Sequence, residues 1–265
     1  MTDLLQVILL GIIEGITEFL PISSTGHLLI AEKLGLGMRS DVFNVVIQAG
    51  AILAVTVLYW PRLWKLASES NKPENRDYIL KLLVAFLITG VLGLVITKLG
   101  FKLPTEISPV AWALIIGGIW MLAAEAMASK KPDSAHITWK VAILVGLAQI
   151  VAAIFPGTSR SAATIFVAML AGASNRPAAT EFAFLVGIPT MFAASGKLLW
   201  DVLKHGEAGA ENWGDLGIAF VVSTITAFVA VKWLLRYIQT HRFTVFAWYR
   251  IALGAALLLF VPAGT

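Results

Sequence analysis

The chain has no cysteine, and only 14% of its 265 residues carry charge. Without cysteine there can be no disulfides, no thiolate metal ligands and no cysteine nucleophile, and the redox state of the compartment leaves no mark on the sequence. The shortage of charge is more informative. With 58% hydrophobic residues and a mean hydropathy of +0.83, this composition cannot form the surface of an ordinary soluble domain. The formal net charge of +4 is small, and no nucleic-acid partner is expected. The first apolar stretch begins at Leu4 after one acidic residue, with no basic n-region and no A-x-A site after it, so a removable signal peptide is not expected.

What is there instead is long apolar runs. A helical span needs about 20 apolar residues, and lipid offers no partner to backbone polar groups, so only helices and closed barrels cross a bilayer. These runs are too continuous for the in-out alternation of barrel strands, and the expected fold is an all-α integral membrane protein. Six uninterrupted stretches can span: about 43–61, 79–99, 108–128, 179–200, 215–235 and 244–262. Two more, about 4–34 and 138–173, are broken at Pro21 and Pro156 and read as re-entrant helical hairpins, which are tolerated where the broken backbone is buried in protein or lines a cavity.

The order is then hairpin, three spans, hairpin, three spans. An odd number of spans inverts the second half relative to the first, which predicts a single membrane domain, 1–265, of two inverted repeats, about 1–130 and 131–265. Aligning Pro21 with Pro156 pairs Glu14 with Gln149, Ser23 with Thr158, Ser24 with Ser159 and Thr25 with Arg160. One side of this arrangement collects twelve basic residues: Arg62, Lys65, Lys72, Arg76, Lys81, Lys130, Lys131, Lys140, Arg176, Lys232, Arg236 and Arg242. The other collects six: Lys33, Arg39, Lys98, Lys102, Lys197 and Lys204. The positive-inside rule puts the richer side in the cytoplasm and both termini outside. Glu125 and Lys197, near span ends, are expected at the interface.

Ionisable groups at membrane depth cost roughly 2.5 to 3.5 kcal/mol each on insertion scales, so those beside the two breaks call for a function. Glu14 and Glu18 are one helical turn apart and share a face, where like charges must share a proton or a cation; carboxylate oxygens suit Mg²⁺ or Ca²⁺. The alternative is a pair at a helix end facing headgroups. Ser23, Ser24, Thr25 and Gly26 supply N-caps for the next half-helix, whose N-terminus is an anion site. His27, one turn further, is a candidate nucleophile or general base, or else a structural donor.

Gly157, Thr158, Ser159, Ser161 and Thr164 repeat this anion-site pattern, and Arg160 adds a guanidinium that can grip a phosphate or pair with Glu14 or Glu18. Gln48, Glu181 and Arg250 are polar groups in apolar spans and read as packing or supporting residues. An anion cradle, a carboxylate pair and a histidine within reach of lipid form a phosphoryl-transfer kit. Broken helices in inverted repeats also mark secondary transporters, so a carrier or flippase for a lipid-linked or small anion is the alternative.

At Glu14-Gly-Ile-Thr-Glu18-Phe-Leu-Pro-Ile-Ser-Ser-Thr-Gly-His27 and Pro156-Gly-Thr-Ser-Arg-Ser-Ala-Ala-Thr164 the chain resembles the bacterial undecaprenyl-diphosphate phosphatase family, also known for bacitracin resistance. The similarity extends through Val46-Ile-Gln48-Ala-Gly, Glu181-Phe-Ala-Phe-Leu and Tyr249-Arg250, essentially the full length. The resemblance implies hydrolysis of a polyprenyl diphosphate to the monophosphate carrier of cell-wall synthesis. It also implies a divalent cation, a bacterial inner-membrane location and an active site toward the periplasm or outer face. It puts Glu14, Glu18, Ser24, His27 and Arg160 at the principal positions, with Thr25, Ser159, Ser161 and Thr164 in support; His27, Ser24 or water is left as nucleophile. A homodimer is left open. Another lipid phosphatase family also has a Ser-Gly-His element, but its Lys-x6-Arg-Pro and His-x3-Asp signatures are missing here.

Overall fold

A computed structural model describes residues 3–100, 106–205 and 212–261. The apolar stretches are helices, and the breaks at the two prolines persist as breaks. In chain order the helices are α1 (Asp3–Thr17), α2 (Ser24–Ala31), α3 (Asp41–Leu58), α4 (Trp60–Ser68), α5 (Pro73–Lys98), α6 (Ile107–Ala128), α7 (Trp139–Ile154), α8 (Arg160–Ala171), α9 (Arg176–His205), α10 (Trp213–Tyr237) and α11 (Thr244–Phe260). There is no strand among the described residues. A π-type turn, Glu32–Leu36, follows α2, and Gly35 inside it takes a φ of 141°.

Five helices are long and apolar enough to cross a membrane: α3, α5, α6, α9 through Val202, and α10. The sixth expected span, 244–262, is the 17-residue α11, and its last residue lies outside the described ones. Lys102 and residues 1, 2 and 262–265, on which part of the expected orientation rests, also lie outside them. The expected stretch 43–61 is cut short. The chain breaks at Tyr59 and restarts as α4 with Pro61 in its first turn, where a missing N–H costs nothing. Side-chain oxygens start several helices: Ser40 accepts from Phe43 N (3.1 Å), Thr138 from Val141 N (3.2 Å) and Asn212 from Gly214 N (3.0 Å).

Lipid tails are as apolar as leucine, so close backbone approach rather than water exclusion holds such helices together. α1 packs on α10, α7 on α5, α3 on both α10 and α9, and α6 on α11. Glycine allows this where a side chain could not fit. A Cβ on Gly15 of α1 would lie 2.6 Å from the Ser223 carbonyl oxygen of α10, and one on Gly146 of α7 would lie 2.8 Å from the Ala85 carbonyl of α5. The relation of α1 to α10 thus recurs between α7 and α5.

Glu125 is 1% exposed; its carboxylate takes the Arg176 guanidinium (Nε to Oε1, 2.8 Å) and the Phe243 amide, so its charge is neutralised inside the protein. Lys197 is exposed and bonds Asp201, one turn along α9.

The glycine contacts make a prediction. Gly15→Val should lower stability by about 1–3 kcal/mol, because the wall it meets is backbone. Gly90→Ala, with nothing within 4 Å of the added Cβ, should be neutral or slightly stabilising. Thermal unfolding in detergent checks both.

Candidate active site

Ser23 (φ 75°) and Ser159 (φ 70°) are the only non-glycine residues with positive φ among those described. Such strain persists where the surroundings enforce it, and it gathers at functional sites. Both serines do the same work. Ser23 Oγ accepts from Gly26 N (3.4 Å) at the start of α2, and Ser159 Oγ accepts from Ala162 N (3.3 Å) at the start of α8.

This geometry equates Ser23 with Ser159, one residue away from the register obtained by superposing the prolines. One residue separates Pro21 from its cap and two separate Pro156 from its own. The extra residue in the second loop is Gly157, at φ 95°, pressed against α6 where a Cβ would lie 2.8 Å from the Val110 carbonyl. Ser24 and Arg160 are therefore counterparts, each the first residue of its half-helix.

These two residues meet at one carboxylate. Glu18 lies in the turn after α1 and is 6% exposed; its Oε1 accepts from Arg160 Nη2 at 2.8 Å, and its Oε2 accepts from the Ser24 hydroxyl. Of the two partners the sequence allowed Arg160, Glu18 is the one bonded. Arg160 lies over the Phe19 ring, 5.7 Å from its centre, and its Nη1 reaches the Gly187 carbonyl (3.5 Å). A second strap joins the loops: Ser161 Oγ donates to the Leu20 carbonyl at 2.9 Å. Thr164 donates to the Arg160 and Ser161 carbonyls (2.8 and 3.2 Å), so its hydroxyl, like that of Ser161, faces main chain.

Both half-helix starts border one cavity of about 400 Å³. Glu18, Ser23, Ser24 and Thr25 line it from the first loop and Gly157, Ser159 and Arg160 from the second; Gln48, Thr89, Gln149 and Thr190 add neutral polar groups from α3, α5, α7 and α9. The starts of two helices and a guanidinium thus border one space, and helix N-termini and guanidinium groups both favour anions such as phosphate. A larger cavity of about 510 Å³ along α6, α7 and α8 is apolar except at Thr158, so volume alone does not identify the site.

His27 is turned to the other side. Its Nδ1 is 2.7 Å from the Ser23 carbonyl oxygen and its Nε2 is 2.7 Å from the Tyr249 hydroxyl, so the base beside Ser24 is Glu18. Arg250, next to Tyr249 on α11, is fully buried and holds the second loop from behind: Nη1 donates to the Thr158 carbonyl (2.9 Å) and Nη2 to those of Gly157 (2.8 Å) and Ala113 (3.1 Å). Gln48 lines the cavity, whereas Glu181 bonds Arg62 (2.9 Å) and Tyr78 (3.3 Å). Thr89 and Thr190 escaped the sequence reading. Threonines in apolar helices usually bond the carbonyl one turn back, as both do, and that leaves no signal.

For a metal, no group of three or more acidic, histidine or cysteine side chains exists among the described residues. Glu14 is 1% exposed and its Oε2 has no hydrogen-bond partner, while Glu18 lies one turn on. Two carboxylates fit a hard cation that completes its shell with phosphate oxygens and water.

Comparison with known proteins is consistent across the chain. The family model for bacitracin resistance protein BacA matches residues 7–256. The chain is 64% identical over 263 residues to the undecaprenyl-diphosphatase of Xanthomonas oryzae pv. oryzae strain PXO99A, covering 99% of each. It is 66% identical over 262 residues to that of Rhizobium etli strain CIAT 652, covering 99% of this chain and 98% of the relative.

The two strained caps can be tested. Ser159→Ala keeps the unfavourable φ and loses the cap, so it should cost about 1 kcal/mol; Ser159→Gly relieves the φ and should cost only a few tenths. The same order is expected at Ser23, read by thermal unfolding.

Proposed function

Since the chain belongs to the bacitracin resistance protein BacA family, we propose that it hydrolyses undecaprenyl diphosphate to undecaprenyl phosphate and inorganic phosphate, returning the lipid carrier to cell-wall synthesis. The observation that carries this reading is the Arg160–Glu18–Ser24 chain at the edge of a cavity bordered by two helix starts.

The diphosphate lies against the first-turn amides of α2 and α8, and Arg160 turns from Glu18 to the phosphate. Ser24 is the nucleophile. As its Oγ bonds the terminal phosphorus, its proton passes to Glu18 and the anhydride bond breaks; Glu18 then protonates the departing prenyl phosphate. Water gives a proton to Glu18 as it attacks phosphoserine, the Oγ–P bond breaks, and the proton returns to Ser24. His27, bonded through Nδ1 to the Ser23 carbonyl and through Nε2 to the Tyr249 hydroxyl, holds the start of α2 in place beside Ser24. Glu14 and Glu18 would hold the divalent cation, which when bound neutralises phosphate charge.

Around this site we read six spans and two re-entrant hairpins in inverted repeats, in a bacterial inner membrane, with termini and site toward the periplasm. Supporting the repeat are the matching serine caps and the recurrence of the α1–α10 packing as α7–α5. The basic-residue bias supports the orientation.

Phosphate release from undecaprenyl diphosphate by detergent-purified protein tests the function. Wild type should lose activity with chelator and regain it with Mg²⁺ or Ca²⁺. Ser24→Ala and Arg160→Ala should be nearly inactive, and Glu18→Gln should lose roughly 10²–10⁴-fold, the usual worth of a general base. A correctly folded wild type that releases no phosphate, yet moves a lipid-linked anion across vesicles, would replace hydrolysis with transport. For orientation, an impermeant maleimide outside intact cells should label Met38→Cys and not Asp133→Cys; the reverse would overturn it.

A further inference from the structure

Gln149 of α7 is 2% exposed and borders the cavity together with Glu18, Ser24 and Arg160. Which end of its amide is free follows from Thr89 of α5. The Thr89 hydroxyl has one hydrogen, and it lies 2.9 Å from the Ala85 carbonyl and 3.0 Å from the Gly146 carbonyl, which can only accept. Toward Gln149 that hydroxyl therefore accepts, so the Gln149 NH₂ faces it at 2.8 Å and Oε1 is the free branch of the amide. Oε1 is buried and has no hydrogen-bond partner among the described residues. A bare buried carbonyl oxygen is costly, and the cavity that Gln149 borders is the route by which a donor reaches it.

The repeat gives this position a counterpart. Upstream of Gly157 the proline register holds: Gly11 of α1 and Gly146 of α7 both press on a helix backbone, where a Cβ would lie 2.9 Å from the Ala219 carbonyl and 2.8 Å from that of Ala85. Three residues on from each stand Glu14 and Gln149, and each keeps one unpartnered oxygen. The first half thus offers a carboxylate, suited to a cation, and the second a neutral amide. A neutral oxygen accepts a hydrogen bond without adding negative charge beside a phosphate. Ionised phosphate oxygens and the Glu18 carboxylate are acceptors themselves and cannot satisfy it, whereas the two hydrogens of a water molecule can bridge it to Glu18.

We propose that Gln149 positions the water that hydrolyses the phosphoserine. One water hydrogen bonds Gln149 Oε1 and the other bonds Glu18, which leaves an oxygen lone pair for phosphorus. As the new O–P bond forms and the Ser24 Oγ–P bond breaks, Glu18 takes one hydrogen as a proton and passes it to Ser24. The hydrogen on Gln149 stays with the released phosphate, and the amide neither gains nor loses a proton. The inference rests on the reading in which Ser24 is the nucleophile, and it assigns Gln149 to the second half of that reaction.

The test separates the two halves in detergent-purified enzyme. Gln149→Leu should lower kcat about 10- to 100-fold, with KM falling in step, because kcat/KM for undecaprenyl diphosphate reports formation of the phosphoserine. Acid-stable label from the terminal phosphate should then accumulate in the variant during turnover, well above the wild-type level. Thr89→Val, close to threonine in shape, frees the amide to turn and should show the same signature more weakly, which carries the test even if Gln149→Leu fails to fold; Thr89→Ser, which keeps the hydroxyl, should restore most of the loss. Losses of kcat and kcat/KM together, with no extra label, would assign Gln149 to packing and overturn the proposal, as would a wild-type rate in Gln149→Leu. Absence of label in wild type and variants alike, while phosphate is released, would instead sink the phosphoserine reading and take the proposal with it.

Discussion

The ion pair between Arg160 and Glu18 is the interaction on which the rest of this molecule depends. It joins the first residue of α8 to the turn after α1, two points 142 residues apart. Its side chains are 20% and 4% exposed, so the attraction is little screened, and neither charge could be left there alone. Keeping the pair requires both broken helices to end at the same place. The Ser161 bond to the Leu20 carbonyl, the left-handed serine caps and the grip of Arg250 on Gly157 and Thr158 all fix the loops in that arrangement.

Within this frame the chemistry of a hydroxyl is decided by what it donates to. Ser161 and Thr164 donate to carbonyls, which accept a hydrogen bond but cannot take the proton; these hydroxyls fasten the fold. Ser24 donates to a carboxylate, which can take it. On the proposed mechanism the same residue type, at nearly equivalent places in two loops, is a nucleophile in one and a cap or strap in the other. An asymmetric site arises in this way from two similar halves: one loop contributes the carboxylate and the hydroxyl bonded to it, the other the guanidinium that steadies them.

The membrane class and both breaks were legible because run length, proline and clustered polar groups are one-dimensional signals. The residues at the breaks were legible too, but their partners were not. The register error came from Gly157, whose positive φ adds a residue to the second loop that no periodicity records. The partner of Glu125 was not legible because Arg176 lies 51 residues on. The break after α3 was hidden by Trp60, an apolar residue that extends the hydropathy run across a helix boundary. His27 and Ser24, three residues apart, invite pairing on paper; the imidazole turns instead to Tyr249, 222 residues away.

The central claim is that Glu18 activates Ser24, with His27 acting elsewhere. Its most direct test is acid quenching of the enzyme during turnover of substrate labelled in the terminal phosphate, followed by mapping of the label. The account predicts acid-stable label on the peptide holding Ser24, absent in Ser24→Ala. Label on His27, which acid would remove and a neutral quench would keep, or no covalent label under either quench while phosphate is released, would contradict it.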